Sequence, residues 1–182
     1  MTVSTSTSSA KGSMSQIFRK MRGGAQCPPR QSLRQIGIAW LGGFLAIAAV
    51  GLATDITGSV LVLGSFGATC VLVFGFPESP FSQPRNVIAG HFLSSLVGLV
   101  FLTAFGAQWW SMALAAGTAI AVMLLTRTVH PPAGSNPVIV MLTAPTWAFL
   151  ATPTLLGALI VVAVAVVFNN LPRDREYPKY WM

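Results

Sequence analysis

The segment WWSMALAAGTAIAVMLLTR, residues 109–127, decides the fold. It carries no charge before its final arginine, and its length of about 19 residues is enough for a helix to cross a hydrocarbon core of about 30 Å. Apolar stretches of similar length occupy residues 35–54, 59–76 and 86–105. The sequence therefore predicts an all-α polytopic membrane protein.

Composition and charge exclude an ordinary soluble domain. The 182 residues are 53% hydrophobic and only 8% charged, whereas soluble domains carry about 25% charged residues. A net charge of +7 would suggest a nucleic-acid partner in a soluble protein, but here the basic residues flank the apolar runs. They indicate membrane topology with a cytosolic N-terminus, and no nucleic-acid partner is expected.

Three regions follow from this distribution. Residues 1–33 are Ser/Thr-rich, basic and free of acidic residues, which predicts a disordered cytosolic tail. The same composition also resembles an organellar transit peptide, which is the alternative, whereas the apolar core of a secretory signal is missing. Residues 34–171 are predicted to form the transmembrane domain, and residues 172–182 a short basic cytosolic C-terminal tail.

The last apolar stretch, residues 137–170, is interrupted by Pro145 and Pro153. Proline breaks the helical ladder, so this stretch is either one tilted span after a re-entrant segment or two short spans. An even number of crossings would place both basic termini in the cytosol. We therefore expect five to six transmembrane or half-membrane helices, and we favour six.

An internal similarity is consistent with six segments. The stretch from Gly67-Ala68-Thr69 to Pro77 resembles the stretch from Gly134-Ser135-Asn136 to Pro145. Two units of three segments would have opposite orientations, giving a 3+3 inverted repeat with broken helices and a binding site between them. The alternative is chance similarity between two Gly/Ala/Val-rich stretches.

Two polar interruptions, residues 77–86 and 127–137, carry most of the polar chemistry. Together with neighbouring residues they hold spaced motifs that resemble the HPP family of integral membrane proteins, over residues 35 to 171. These motifs are Ser65-Phe66-Gly67-Ala68, Ser79-Pro80, Gln83-Pro84-Arg85-Asn86, Gly90-His91, and Thr128 followed by His130-Pro131-Pro132-Ala133-Gly134.

The resemblance implies a transporter of a small inorganic anion, because cyanobacterial and chloroplast members are implicated in nitrite transport. It also implies a bacterial inner membrane location, with the chloroplast envelope as the alternative. The family is usually described as having four spans, which differs from the six segments favoured here. This chain departs from the family pattern at Ser135-Asn136-Pro137, a difference that bears on the substrate.

The residues themselves suggest how an anion would be held. Consecutive prolines predict an extended chain at Pro131 and Pro132, with a new helix beginning near Ser135 or Asn136. The unpaired N–H groups and positive dipole end of that helix suit a small anion. Ser65, Gly67 and Thr69 would form a second such helix start.

His130 is expected to be functional, since an ionisable group beside a span is costly to bury and an imidazole suits proton coupling. A capping or packing role is the alternative, and hydrogen bonding between spans would equally explain His91. Arg85 and Arg127 either bind substrate or anchor the membrane edge. The predicted substrate-binding set is Ser65, Gly67, Thr69, Arg85, Asn86, His91, Arg127, His130, Pro131, Pro132, Gly134, Ser135 and Asn136.

Two other classes compete with transport. An intramembrane enzyme is not expected, because the sequence shows no catalytic triad, paired carboxylates or metal-binding motif, and no cofactor is predicted. A membrane-embedded sensor or assembly partner is the alternative. A transporter needs His130 and Asn136 to line an aqueous cavity, whereas a scaffold packs them dry. Homo-oligomerisation is expected because so small a chain seldom encloses a pathway alone.

Overall fold

The computed structural model describes residues 14–181, so the first part of the predicted tail lies outside the described residues. Two compact units are present, one ending at Gln31 and the other beginning at Ser32. The described residues form seven α-helices and no strand: α1 Met14–Met21, α2 Leu33–Thr57, α3 Gly64–Gly75, α4 Pro84–Phe105, α5 Trp109–Leu125, α6 Asn136–Thr143 and α7 Leu156–Asn169.

Three helical stretches of the second unit are long and apolar enough to cross a membrane: Leu33–Thr57, Pro84–Phe105 and Trp147–Asn169. The last consists of a 3-10 turn, a π-helical turn and α7 in succession. Helices α3 and α5 are also apolar, but they are shorter, at 12 and 17 residues. The prediction of a helical membrane protein is confirmed.

The first unit differs from the predicted disordered tail, because residues Met14–Met21 form a helix. Its apolar residues recur three and four positions apart, which favours a helix with one apolar face. This spacing lies within a segment whose overall composition is polar and basic.

The double proline forms a helical turn, so the prediction of an extended chain there is wrong. His130 is extended, but residues Pro131–Ser135 form a 3-10 helix that leads directly into α6. A proline φ near −65° is compatible with 3-10 geometry as well as with extended chain. The expected helix start at Asn136, with Pro137 in its first turn, is confirmed.

The two short helices of the second unit run in opposite directions from the level of His91. At the start of α6, Asn136 contacts His91, and one turn later Val140 packs against Gly98, so α6 runs parallel to α4. Helix α3 passes from Thr69, which also contacts His91, to Phe76. The Phe76 carbonyl accepts a hydrogen bond from Ser82 near the start of α4, so α3 is antiparallel to α4.

The C-terminal segment folds against the second unit and is not a free tail. Tyr177 donates a hydrogen bond to the Ser82 carbonyl at 2.7 Å, and the Lys179 backbone N–H donates to Gln83 at 2.8 Å. Burial raises the pKa of the Tyr177 hydroxyl above its usual range. Asp174 pairs with Arg34 at 2.8 Å, which places the beginning of α2 and the chain beyond α7 at the same end of the unit.

Close helix packing depends on glycines, and Gly157 supplies a test. A Cβ at this position would lie 2.7 Å from the Leu61 carbonyl oxygen and against the Phe66 ring. Gly157→Ala should therefore lower the free energy of unfolding by about 1–3 kcal/mol through overpacking. Thermal unfolding of the purified protein in detergent measures the effect.

Gly117→Ala is the matched control, because a Cβ there would meet nothing within 4 Å. It should leave stability unchanged or raise it by up to about 1 kcal/mol through better helix propensity. Equal melting temperatures for the two variants would contradict the packing inferred at Gly157.

Candidate functional site

A single hydroxyl group joins two histidines at the centre of the site. Thr69 Oγ1 lies 2.9 Å from His91 Nε2 and 2.9 Å from His130 Nε2. The two imidazole rings pack edge to face with centroids 5.0 Å apart. Helix α3, helix α4 and the loop before α6 therefore meet at one oxygen atom.

Polar groups also hold the far sides of both rings. His130 Nδ1 lies 2.7 Å from the Phe81 carbonyl oxygen, and Asn136 Nδ2 lies 3.1 Å from His91 Nδ1. The Asn136 amide also donates to the His91 carbonyl and to Ser95 Oγ. All four central side chains, Thr69, His91, His130 and Asn136, are fully buried.

These contacts determine where the ring protons lie. The Phe81 carbonyl can only accept, so His130 carries its proton on Nδ1 and its Nε2 is an acceptor. Because Asn136 Nδ2 donates to His91 Nδ1, His91 carries its proton on Nε2 and donates it to Thr69. Two neutral histidines of opposite tautomer satisfy the contacts of all four ring nitrogens.

Thr69 has a second acceptor within reach. Its hydroxyl also lies 3.1 Å from the Ser65 carbonyl oxygen, one turn earlier in α3. The single Thr69 proton can thus be donated either to His130 Nε2 or to the Ser65 carbonyl. The hydroxyl has two possible orientations within one fixed arrangement of heavy atoms.

Three buried polar atoms in the described part of the chain have no hydrogen-bond partner: Ser65 Oγ, Asn86 Oδ1 and Asn136 Oδ1. Leaving such an atom unpaired costs about 1–3 kcal/mol, so each is a place where water or a ligand would be stabilised. Two of these atoms, Ser65 Oγ and Asn136 Oδ1, belong to residues that hydrogen-bond to Thr69 and His91, respectively.

Other predicted site residues hold the loop that carries His130. Asn86 donates to the Val129 carbonyl at 2.9 Å, and Arg85 donates to the Thr126 carbonyl at 3.0 Å. Arg127 is exposed and lies just after α5 in a left-handed conformation with φ 57°. Neither arginine is among the hydrogen-bond partners of the two imidazole rings in the described structure.

The remaining predicted residues do not reach the centre. Pro131, Ser135 and Gly67 are exposed, Gly134 is half-buried and Pro132 is buried. Pro131, Pro132 and Ser135 line an apolar groove of about 480 Å³ together with Ala68.

The predicted anion site at the start of α6 needs a correction. The Asn136 N–H donates to the Ala133 carbonyl, because the 3-10 turn continues directly into the helix. Amides bonded within such a turn cannot point at a ligand. The start of α3 is similar, since the Phe66 N–H donates to the Leu63 carbonyl at 2.9 Å and its N-cap residue Leu63 provides no side-chain hydrogen bond.

Sequence reasoning missed three hydroxyl groups that support the site. Ser95 accepts from Asn136 at 2.9 Å and pairs with Thr154 at 3.1 Å, while Ser94 donates to the Ala133 carbonyl at 2.6 Å. Ser94 and Ser95 follow His91 by three and four residues, so they lie on the same helix face. That spacing is visible in the sequence, although small residues on a helix face are equally typical of close helix packing.

Gly90 is also required where it stands. A Cβ at this position would lie 2.7 Å from His130 Cβ and 3.0 Å from the Thr128 carbonyl oxygen. The loop carrying His130 can therefore approach α4 closely only at a glycine.

The three long apolar helical stretches are typical of a helical integral membrane protein, and comparison with known proteins identifies its family. Residues 28–178 match the family model described as "HPP, transmembrane region". The chain belongs to the HPP family of membrane proteins.

Two relatives from Dictyostelium discoideum are both described as transmembrane proteins. One is 36% identical over 178 residues, covering 91% of this chain and 57% of the relative. The other is 41% identical over 181 residues, covering 91% of this chain and 63% of the relative. The chain thus spans about three-fifths of the length of these relatives, and no solved structure matches it.

The bridging role of Thr69 makes a stability prediction. Thr69→Val keeps the shape of the side chain but removes the hydroxyl group, leaving His91 Nε2–H and His130 Nε2 unpaired and buried. We expect the free energy of unfolding to fall by about 1–3 kcal/mol. Thermal unfolding in detergent measures the change.

Thr143→Val is the matched control, because Thr143 is exposed and its hydroxyl bonds only the Ile139 carbonyl of its own helix. Its melting temperature should stay close to that of the wild type. A Thr69→Val protein as stable as this control would contradict the bridge.

Proposed function

We propose that the protein is a transporter of a small inorganic anion, with nitrite as the first candidate substrate, and that transport is coupled to protons. The observation that carries this proposal is the buried pair His91 and His130, joined by Thr69. The pair lies where α6 begins and α3 passes in the opposite direction. Transporters place binding sites at such helix breaks near the middle of the membrane. The family resemblance in the sequence supplies the anion class.

The internal similarity between the two stretches supports the same proposal. Thr69 and Asn136 occupy equivalent positions in the two similar stretches, Gly67-Ala68-Thr69 and Gly134-Ser135-Asn136. In the structure they bind the two ring nitrogens of the same residue, His91. Helices α3 and α6, which carry these residues, run in opposite directions relative to α4. An inverted repeat with a shared central histidine accounts for both facts.

Proton coupling follows from the charge of the substrate. An anion entering a negative-inside compartment moves against the membrane potential, by about 2.3 kcal/mol per 100 mV, unless a cation accompanies it. An imidazole that binds a proton beside the anion would cancel its charge inside the membrane. His91 and His130 are the two histidines of the chain, and both belong to the central cluster.

The described conformation is closed around this cluster, since Thr69, His91, His130 and Asn136 are fully buried. As a transporter it would therefore be in an occluded state, and transport would require the helices to separate on each side in turn. The same dry packing favours the second candidate, a membrane-embedded sensor or assembly partner. Measurement of transport separates the two.

The direct test is uptake of labelled nitrite into proteoliposomes that contain the purified protein, with and without an imposed pH gradient. We expect uptake above that of protein-free vesicles, and a faster rate when the vesicle interior is alkaline. Absence of uptake of nitrite and of other small anions would reject transport and favour the sensor or assembly role.

His130→Ala should reduce uptake to the level of protein-free vesicles, because it removes one of the two imidazoles of the cluster. Membrane insertion and elution in size-exclusion chromatography should stay unchanged. Gln108→Ala, which alters an exposed side chain just before α5, is the control and should transport normally. Normal uptake by His130→Ala would exclude a transport role for this side chain.

A further inference from the structure

We infer that His130 is the residue that binds the coupling proton, and that the Thr69 hydroxyl is the switch that accommodates it. This inference rests on the proposed proton-coupled transport and assigns the proton site within it. It follows from counting donors and acceptors in the cluster with and without one added proton.

In the neutral cluster each hydrogen has one acceptor. His91 Nε2–H donates to Thr69 Oγ1, Thr69 Oγ1–H donates to His130 Nε2, and His130 Nδ1–H donates to the Phe81 carbonyl. In this state the Thr69 proton is not donated to the Ser65 carbonyl. That carbonyl oxygen lies 3.1 Å from Thr69 Oγ1 and is an additional acceptor within reach.

A proton added to His130 Nε2 can be accommodated by one rotation. The new Nε2–H donates to Thr69 Oγ1, whose own proton turns to the Ser65 carbonyl. Thr69 Oγ1 then accepts from both imidazoles with its two lone pairs, so no hydrogen bond is lost. The heavy atoms already stand at the required distances in the described structure.

His91 has no comparable way to accept a proton. Its free lone pair is on Nδ1, which already receives a hydrogen bond from Asn136 Nδ2. A second proton there would face the Asn136 amide hydrogens, so the whole Asn136 amide would have to turn over and give up its contact to the His91 carbonyl. The two histidines thus differ at Nδ1, which donates to a carbonyl oxygen in His130 and accepts from an amide in His91.

The ionisable groups around His130 do not compete for the proton. His91 faces it from α4, and α5 and α6 contain no ionisable residue. Cys70 follows Thr69 in α3, Arg85 donates to the Thr126 carbonyl, and Arg127 is exposed. Glu78, in the segment before Phe81, pairs with Lys179 at 3.0 Å.

The test is nuclear magnetic resonance of the full chain labelled with 15N-histidine and reconstituted in lipid vesicles. The chain contains two histidines, so His91→Gln and His130→Gln variants assign both sets of ring signals. On acidification, His130 should become doubly protonated first, while His91 stays neutral with its proton on Nε2. Protonation of His91 before His130 would overturn the inference.

Thr69 variants test the switch itself. Thr69→Ser keeps the hydroxyl and should leave the His130 protonation midpoint almost unchanged. Thr69→Val leaves the charged Nε2–H without an acceptor, and the midpoint should fall by about one pH unit or more, a tenfold loss of proton affinity. An unchanged or raised midpoint in Thr69→Val would contradict the switch. If that variant does not fold, the order of protonation in the wild type still decides.

The titration does not depend on transport. Ordered protonation without uptake of nitrite or of other small anions would keep the proton site and reject the proposed function, whereas uptake with His91 protonated first would keep the function and reject the assignment.

A different observation concerns α1, and from it we propose that α1 lies on the surface of an anionic lipid bilayer. Met14, Ile17, Phe18 and Met21 recur at the spacing of one helix face, and all are exposed. Arg19, Lys20 and Arg22 add positive charge, and the first acidic residue of the chain is Asp55.

A lipid surface suits both faces of this helix. The apolar side chains would enter the boundary between headgroups and acyl chains, and the basic side chains would contact anionic headgroups. Only about eleven residues separate α1 from α2, a reach of at most about 40 Å when fully extended. The linker therefore limits how far α1 can be from the start of α2. Helix α2 is itself apolar and long enough to cross a membrane.

An environment-sensitive fluorophore on Ile17→Cys, in full-length protein that also carries Cys27→Ser, tests this surface; the other cysteine, Cys70, is buried. We expect a blue-shifted emission in vesicles containing phosphatidylglycerol, and an aqueous spectrum in phosphatidylcholine alone or at high salt. Identical aqueous spectra in both lipids would overturn the proposal.

Two variants distinguish the contribution of the basic residues to lipid binding from that of the apolar face. Replacing Arg19, Lys20 and Arg22 by Gln should abolish the dependence on anionic lipid. Exchanging Phe18 and Arg19 keeps composition and charge but interrupts the apolar face, so the blue shift should disappear. Retention of the blue shift after this exchange would show attraction by charge alone and contradict an embedded helix.

Discussion

The Thr69 hydroxyl group is the contact on which the site depends. It binds His91 on α4 and His130 on the loop before α6 at equal distances of 2.9 Å, while its own residue lies on α3. Three elements can meet at one oxygen only if their backbones approach closely, and Gly90 and Gly98 on α4 allow this. Gly90, which belongs to the Gly90-His91 motif, therefore serves the polar cluster directly.

Support for this contact extends to the end of the chain. The His130 ring is fixed by the Phe81 carbonyl, which lies in the 3-10 turn Pro80–Ser82. Tyr177 donates to the Ser82 carbonyl and the Lys179 backbone donates to Gln83, so the C-terminal segment holds the turn that orients the histidine. A segment that composition presents as a basic tail is thus structurally coupled to the buried site.

Much of this could be predicted from sequence. Apolar length gave the membrane class, spaced motifs gave the family, and Thr69, His91, His130 and Asn136 were all named as site residues. The Pro131–Ser135 turn was not predicted, because a proline φ fits 3-10 and extended chain alike. The contacts among the four side chains join residues 22 to 61 positions apart, and no local pattern specifies such pairings. Arg85 and Arg127 illustrate the converse: charge beside a motif suggests binding, yet one caps a helix and the other is exposed.

If the protein is a transporter as proposed, this cluster, which is closed in the described structure, must open to water during transport. Diethyl pyrocarbonate modifies accessible neutral imidazoles, and both histidines of the chain are fully buried here. We would measure modification of His91 and His130 by mass spectrometry in proteoliposomes, with and without nitrite under a pH gradient. We expect slow modification of both histidines without nitrite and markedly faster modification during transport. Two histidines that stay unmodified under both conditions, in correctly folded protein, would contradict this expectation and favour a scaffold with a permanently dry core.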